Sequence, residues 1–333
     1  MSTRRPLHLA QVFSATLALG CCGWSVGAMA EQPYPNRALK LVVPYDAGGP
    51  GDIIARTLAD KLSISLKQPI VIENRPGAGG NIGTDAVAKA APDGYTLGLV
   101  VNNTLTVNPS LYKKLPFDPE KNIRPISIVT VTGLMLAVHT SVPVDSVAEF
   151  VAFAKAAAAR NEPIAYGTAG NGTPSHLAME NFRLHTGFEA IPVPYRSVAP
   201  MIVNLVAGHV KVGFIATTSM DHVQAGRLKG LGVARLSRSP LVPDVPTIAE
   251  SGYPGFSVAS YNILLAPAGI PDTIVALLER EVQTALKLPD VIERFRLLDT
   301  SPVGIVGPDV EVRLKADRAA WANIVAAANM RLD

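Results

Sequence analysis

The chain has 333 residues, with 30 Lys+Arg against 27 Asp+Glu and a formal net charge of +3. So small an excess of positive charge argues against nucleic acid or an anionic membrane as partner. The length exceeds what one hydrophobic core usually organises and predicts two domains. Beyond the N-terminus no stretch is long and apolar enough to span a bilayer.

At the N-terminus Arg4 and Arg5 precede an apolar run over 12–19, and small residues end at Ala28-Met29-Ala30 before Glu31. A basic start, a short apolar core and a small-x-small cleavage motif make residues 1–30 a secretory signal peptide, so export is expected. Cleavage after Ala30 removes both arginines together with Cys21 and Cys22. The mature chain is then close to neutral and has no thiol for a disulfide or a metal. Two minority readings stand beside this one: Ala18-Leu19-Gly20-Cys21 as an imperfect lipidation site, and Arg4-Arg5 as a weak twin-arginine signal.

The mature sequence alternates short apolar runs with amphipathic segments. Strands are expected over 39–44, 69–73 and 95–101, and helices over 53–66 and 84–91, which is the pattern of a parallel α/β sheet. A long Val-, Ile- and Thr-rich extended stretch covers 123–139. The alternation then resumes, with helices over 146–160, 177–185 and 199–207 and strands over 163–166, 190–195, 210–215 and 228–234. Ser146 and Glu149 have the spacing of a capping box, and Gly187 and Gly208 stop their helices. The proline-spaced segment 237–254 reads as an ordered loop. A second extended stretch, 256–266, precedes helices over 272–286, 289–298 and 309–328. Two α/β units joined by two extended crossovers make a hinged pair of lobes. The first lobe takes 31–132 and 256–333, and the second 133–255.

Four strand-to-helix turns carry the candidate chemistry: 44–52, 74–83, 166–176 and 194–200. Each is rich in Gly, Ser, Thr, Asn or Tyr and falls at the C-terminal edge of a strand. Helix N-termini there offer free N–H groups and partial positive charge, which suit a carboxylate without any Lys or Arg. Ligands of open α/β sheets gather at this edge. One such turn alone is more often only a tight turn, but four on two lobes have the layout of a clamp.

Other chemistries lack their motifs. No GxxxxGK[ST] occurs, and Gly77, Gly79 and Gly83 give only a weak variant of the dinucleotide fingerprint. No GxSxG elbow or HExxH spacing is present. Ser175-His176 are adjacent in sequence, and His176 is balanced between a ligand donor and a helix-packing residue. Asp52 is suited to capping the first helix or pairing with Arg56 at i, i+4.

At these motifs the sequence resembles the substrate-binding proteins of tripartite tricarboxylate transporters, the Bug family of periplasmic receptors. The resemblance rests on Pro44-Tyr45 through Gly48-Gly49 to Asp52, on Glu73-Asn74-Arg75-Pro76-Gly77-Ala78-Gly79-Gly80-Asn81-Ile82-Gly83, and on Pro92-Asp93-Gly94-Tyr95. It continues through Tyr166-Gly167, Gly170-Asn171-Gly172, His176-Leu177, Val193-Pro194-Tyr195, Pro243-Asp244-Val245-Pro246-Thr247 and Leu265-Ala266-Pro267, and so spans the mature chain.

The resemblance implies a two-lobed periplasmic-binding-protein fold of type II-like form, with a mostly parallel sheet flanked by helices in each lobe. It implies a periplasmic, non-enzymatic receptor without cofactor, a monomer that binds a small carboxylate and delivers it to a membrane permease of the tripartite tricarboxylate type. A sensor component without a permease is the alternative, and an exported hydrolase a distant one. Transferred position by position, the family pattern marks Tyr45, Gly48, Gly49, Asp52 and Thr104 in the first lobe. In the second it marks Thr168, Gly170, Thr173, His176 and Tyr195. Asn103, Ser197, Ala216 and Thr217 complete the candidate site on the same edges. The chain departs from the family at Arg196-Ser197, where Lys-Gly is common, and at Phe214-Ile215-Ala216, where Phe-Asp-Asn is common. It departs again at Tyr261-Asn262-Ile263, where a Trp-Phe-Gly run is common. The missing acid makes an amino ligand less suited and the distal pocket more apolar.

Overall fold

A computed structural model describes residues 34–330. The expected signal peptide, with Cys21 and Cys22, lies outside the described residues.

The first strand, β1 (Leu39–Val43), buries all but Lys40. It feeds α1 (Pro50–Ser65), which begins earlier than the apolar period indicates. Pro50 suits the opening turn, because the N–H that it lacks is one a helix leaves unbonded there. Ile54, Ala55, Leu58, Ala59 and Leu62 form the buried stripe of α1. Then come β2 (Ile70–Asn74), α2 (Asn81–Ala88) and β3 (Thr96–Val101), with β1 parallel to both β2 and β3. Two single turns of helix, α3 (Asn103–Thr106) and α4 (Asn108–Leu111), follow.

The first extended stretch is two strands, β4 (Ile123–Thr132) and β5 (Leu134–His139), separated only by Gly133. The chain then builds α5 (Val147–Ala159), β6 (Ile164–Thr168), α6 (Pro174–Thr186), β7 (Ala190–Pro194) and α7 (Val198–Val206). The unit closes with β8 (Val212–Ala216), the short α8 (Asp221–Gln224) and β9 (Leu228–Val233). Ser146 caps α5, accepting from the Glu149 amide at 3.2 Å, but the Glu149 carboxylate reaches back to the Asp145 amide rather than to Ser146 itself. After an irregular segment, β10 (Ser260–Pro267), α9 (Asp272–Ala285), α10 (Pro289–Arg296), β11 (Thr300–Val306) and α11 (Pro308–Ala327) complete the described chain.

The strands form two sheets, in the orders β11-β4-β10-β3-β1-β2 and β7-β6-β8-β5-β9. Four of the six strands in the first sheet and four of the five in the second share one direction. The exceptions have a physical reason: β10 runs antiparallel to β3 and β4, and β5 antiparallel to β8 and β9. These two strands arrive from the opposite lobe. They start at the shared edge and run away from it, against strands that end there. The other reversed strand, β11, is an edge strand with a register break between Pro302 and Ile305. Proline is tolerated at that edge because its missing N–H leaves no ladder bond unmade.

Both faces of each sheet are covered, as a largely parallel sheet requires. One face of the first sheet packs Leu39, Leu41 and Val43 against α1 and α9, and the other packs Val42, Val100 and Ile263 against Val310 and Leu314 of α11. The second sheet packs Leu134, Leu136 and Val138 against α5 and α6, and Met135 and Ala137 against α7. Helix α11 touches both lobes: its Trp321 packs on the second-lobe core, and Val325 clusters with Leu177 of α6.

Candidate ligand-binding cleft

The C-terminal edges of the two sheets enclose a cavity of about 1110 Å³. Its volume lies just above the range of ordinary ligand pockets, about 300–1,000 Å³. The four turns expected from sequence all reach it.

The turn after β1 is built on Asp52, which is 2% exposed. Its Oδ2 accepts from Gly48 N–H at 2.9 Å and Arg56 Nε at 2.8 Å, and its Oδ1 from Asn74 Nδ2 at 2.9 Å. Burial pushes this carboxyl upward, but the bonds from Arg56, Gly48 and Asn74 outweigh it and hold the group below its ordinary value. Asp52 is therefore an ionised post that shapes the turn. Beside it, Tyr45 accepts from Val101 N–H at 3.1 Å, and burial holds its phenol well above the usual range, so it keeps its proton.

The turn after β2 has four consecutive residues with positive φ: Gly77, Ala78, Gly79 and Gly80 at 123°, 48°, 63° and 97°. Ala78 is strained there, and strained backbone gathers at ligand sites. Gly80 has a second constraint, since a Cβ would lie 2.7 Å from Thr104 Cγ2 and 3.2 Å from the Tyr45 hydroxyl. Asn103 secures the turn by donating from Nδ2 to Gly79 O at 2.9 Å.

The turn after β6 is held by neutral groups. Thr168 Oγ1 accepts from Gly170 N–H at 3.1 Å, and Thr173 Oγ1 donates to Gly170 O at 2.6 Å. Ser175 Oγ accepts from Ala169 N–H at 2.9 Å, and His176 Nδ1 from Gly172 N–H at 3.0 Å. That acceptor role places the His176 proton on Nε2. Burial lowers the imidazole from its ordinary 6.5, with Glu180 opposing in part. Ser175 and His176 thus bond to separate backbone amides rather than to each other. The last turn is docked on this one through Tyr195 N–H to Thr168 O at 2.9 Å.

Of the residues marked from sequence, Tyr45, Gly48, Gly49 and Asn103 line the cavity from the first lobe. Gly170, Thr173, Tyr195, Ser197 and Ala216 line it from the second. Asp52, Thr104, Thr168, His176 and Thr217 are not in the lining. They stand behind it and bond to backbone: Thr104 Oγ1 donates to Val101 O, and Thr217 donates through both N–H and Oγ1 to Gly133 O between the lobes. Sequence reasoning left out Ala78 and Gly79 from the marked set, and also the floor residues Thr132, Ser260 and Asn262. The floor had a signal: Asn262 is an amide inside the apolar run of β10.

The family model for the tripartite tricarboxylate transporter family receptor matches residues 54–330. The chain belongs to that receptor family. It is 35% identical over 328 residues to Protein BugT of Bordetella pertussis (strain Tohama I), covering 98% of each chain. Among solved structures it is similar to an R. palustris protein solved with adipate, at 33% identity and TM-score 0.84, over 90% of this chain and all of that one. It is also similar to MatC from Rhodopseudomonas palustris with bound malate, at 31% identity and TM-score 0.81, over 88% of this chain and all of that one. The α/β fold with two helix-flanked lobes and the role of solute-binding receptor follow from this membership. Among the described residues no helix is long and apolar enough to cross a membrane.

Proposed function

We propose that this receptor captures a small organic carboxylate in the cleft by closing its lobes, in the periplasm, and delivers it to a permease of the tripartite tricarboxylate type. The observation that carries the reading is the convergence of helix N-termini and glycine turns from both lobes on one cavity. Backbone N–H groups and helix dipoles favour an anion there, and groups from both lobes favour a closed, ligand-bound state. Two relatives solved with adipate and malate, both dicarboxylates, support the ligand class. In this reading residues 1–30 are removed on export, the protein acts as a monomer without catalysis, and the lobes are 31–132 with 256–333 and 133–255.

The test is a thermal-shift and calorimetric panel on the chain from Glu31, using dicarboxylates, tricarboxylates, aromatic acids, neutral sugars and amines. Carboxylates are expected to raise Tm and bind one per chain. Stabilisation by sugars or amines alone would overturn the reading.

A further inference from the structure

The floor of the cleft holds two buried amides whose hydrogen bonding is incomplete. Asn103 is 1% and Asn262 4% exposed, and the Oδ1 of each has no hydrogen-bond partner. Both residues line the cavity. They are neighbours in the fold, since Asn262 pairs with Val101, two residues before Asn103. Thr132 and Ser260, a cross-strand pair on the same face of the sheet as Asn262, add two hydroxyls to the lining. Buried amide oxygens without a donor are unfavourable, and few native groups are left so without a reason.

The two amides differ in freedom. Asn103 Nδ2 is held by the Gly79 carbonyl, which only accepts, so its Oδ1 must face away as an acceptor. Asn262 Nδ2 donates to Thr130 Oγ1 at 3.0 Å. A threonine hydroxyl can donate as well as accept, so this amide can turn over and offer either its oxygen or its NH₂. A fixed acceptor beside an adaptable amide is the environment of a group that donates one hydrogen bond and accepts another. A hydroxyl does both. An ammonium only donates, and the lining's one carboxylate, Asp46, belongs to the first turn rather than to the floor. The site described above uses Asn103 as a turn support and gives Asn262 no role.

We infer that Asn262, together with Asn103, reads a hydroxyl on the ligand, so that the cleft selects hydroxy-carboxylates over their unsubstituted counterparts. This rests on the carboxylate-receptor reading and narrows it. Because β10 is a strand on which the chain passes between lobes, a bond to Asn262 also ties the ligand to the crossover.

The experiment is calorimetry on the chain from Glu31 with matched pairs, malate against succinate and lactate against propionate, and with aspartate as the amino analogue. The hydroxy member of at least one pair is expected to bind about tenfold more tightly, as for other buried hydrogen bonds whose loss leaves a polar group unpaired. Aspartate is expected to gain nothing over succinate. In Asn262→Leu the hydroxy preference should fall to within about twofold. Equal binding of both members by the unaltered protein overturns the inference while leaving the receptor reading intact. Equal weakening of both members by Asn262→Leu in a folded variant also overturns it, as does a gain with aspartate alone. Failure of every carboxylate, with sugars or amines binding instead, overturns both. The unaltered protein supplies the first comparison, so the inference is exposed even if the variant does not fold.

Discussion

The turns after β1 and β6 face each other across the cleft and do the same work by opposite means. The first is tied to an ionised carboxylate, with Asp52 gathering donors from Gly48, Arg56 and Asn74. The second is tied by hydroxyls and a neutral imidazole, each making one or two short bonds. An ionised hub concentrates the stability of its turn in one residue, whereas a neutral network spreads it. The two lobes should therefore differ in their sensitivity to substitution and to pH.

Asp52→Ala should have the largest effect. It leaves three donors without their acceptor, and bonds to charged groups are worth more than neutral ones. A loss of about 2–3 kcal/mol in urea unfolding is expected, with ligand affinity reduced at least tenfold as the Gly48 turn loosens. Gly80→Ala comes next, at about 1–3 kcal/mol, from the positive φ and the contact its Cβ would make with Thr104. Thr173→Ala removes two neutral bonds, to Gly170 O and with Ser175 Oγ, and should cost about 1–2 kcal/mol. If Thr173→Ala matched Asp52→Ala in urea unfolding, the contrast between hub and network would fail.

Acid sharpens the comparison further, and its effect is the smallest. The folded value of His176 lies below the ordinary 6.5, so the unfolded chain takes up that proton first. This contribution to stability is complete above about pH 6.5 and is lost as pH falls through the lowered folded value. Asp52 is also lowered, from an ordinary 3.8, so its contribution is complete above that pH and is lost only on stronger acidification. Acid is thus expected to loosen the second-lobe turn before the first-lobe turn. Tm followed from pH 8 to 5 should fall in the unaltered protein and fall less in His176→Gln, which checks the sign.

Much of this architecture was legible in the sequence. The alternation of apolar runs with amphipathic segments located every strand but β11, whose Pro302 and Gly304 break the pattern of an apolar strand. The short helices α3, α4 and α8 carry too few residues for a period to show. Glycine-rich composition marked the turns, but not which side chains point inward. Asp52, Thr168 and His176 have the chemistry of ligand contacts but bond within the turns, Thr168 and His176 to backbone amides and Asp52 to Gly48 N–H, Arg56 and Asn74, a choice set by folding of the turn rather than by residue type. Asn262 was visible as an amide in an apolar run, but its place on the floor was not, because that is set by the register of β10 between β3 and β4.

The central claim is that a ligand carboxylate is held by uncharged backbone donors in the cleft. Calorimetry with one bound organic acid and its neutral amide tests it most directly. The acid should bind and the amide should lose at least a hundredfold in affinity, because the helix N-termini favour a full negative charge. Equal affinity for acid and amide would contradict the claim.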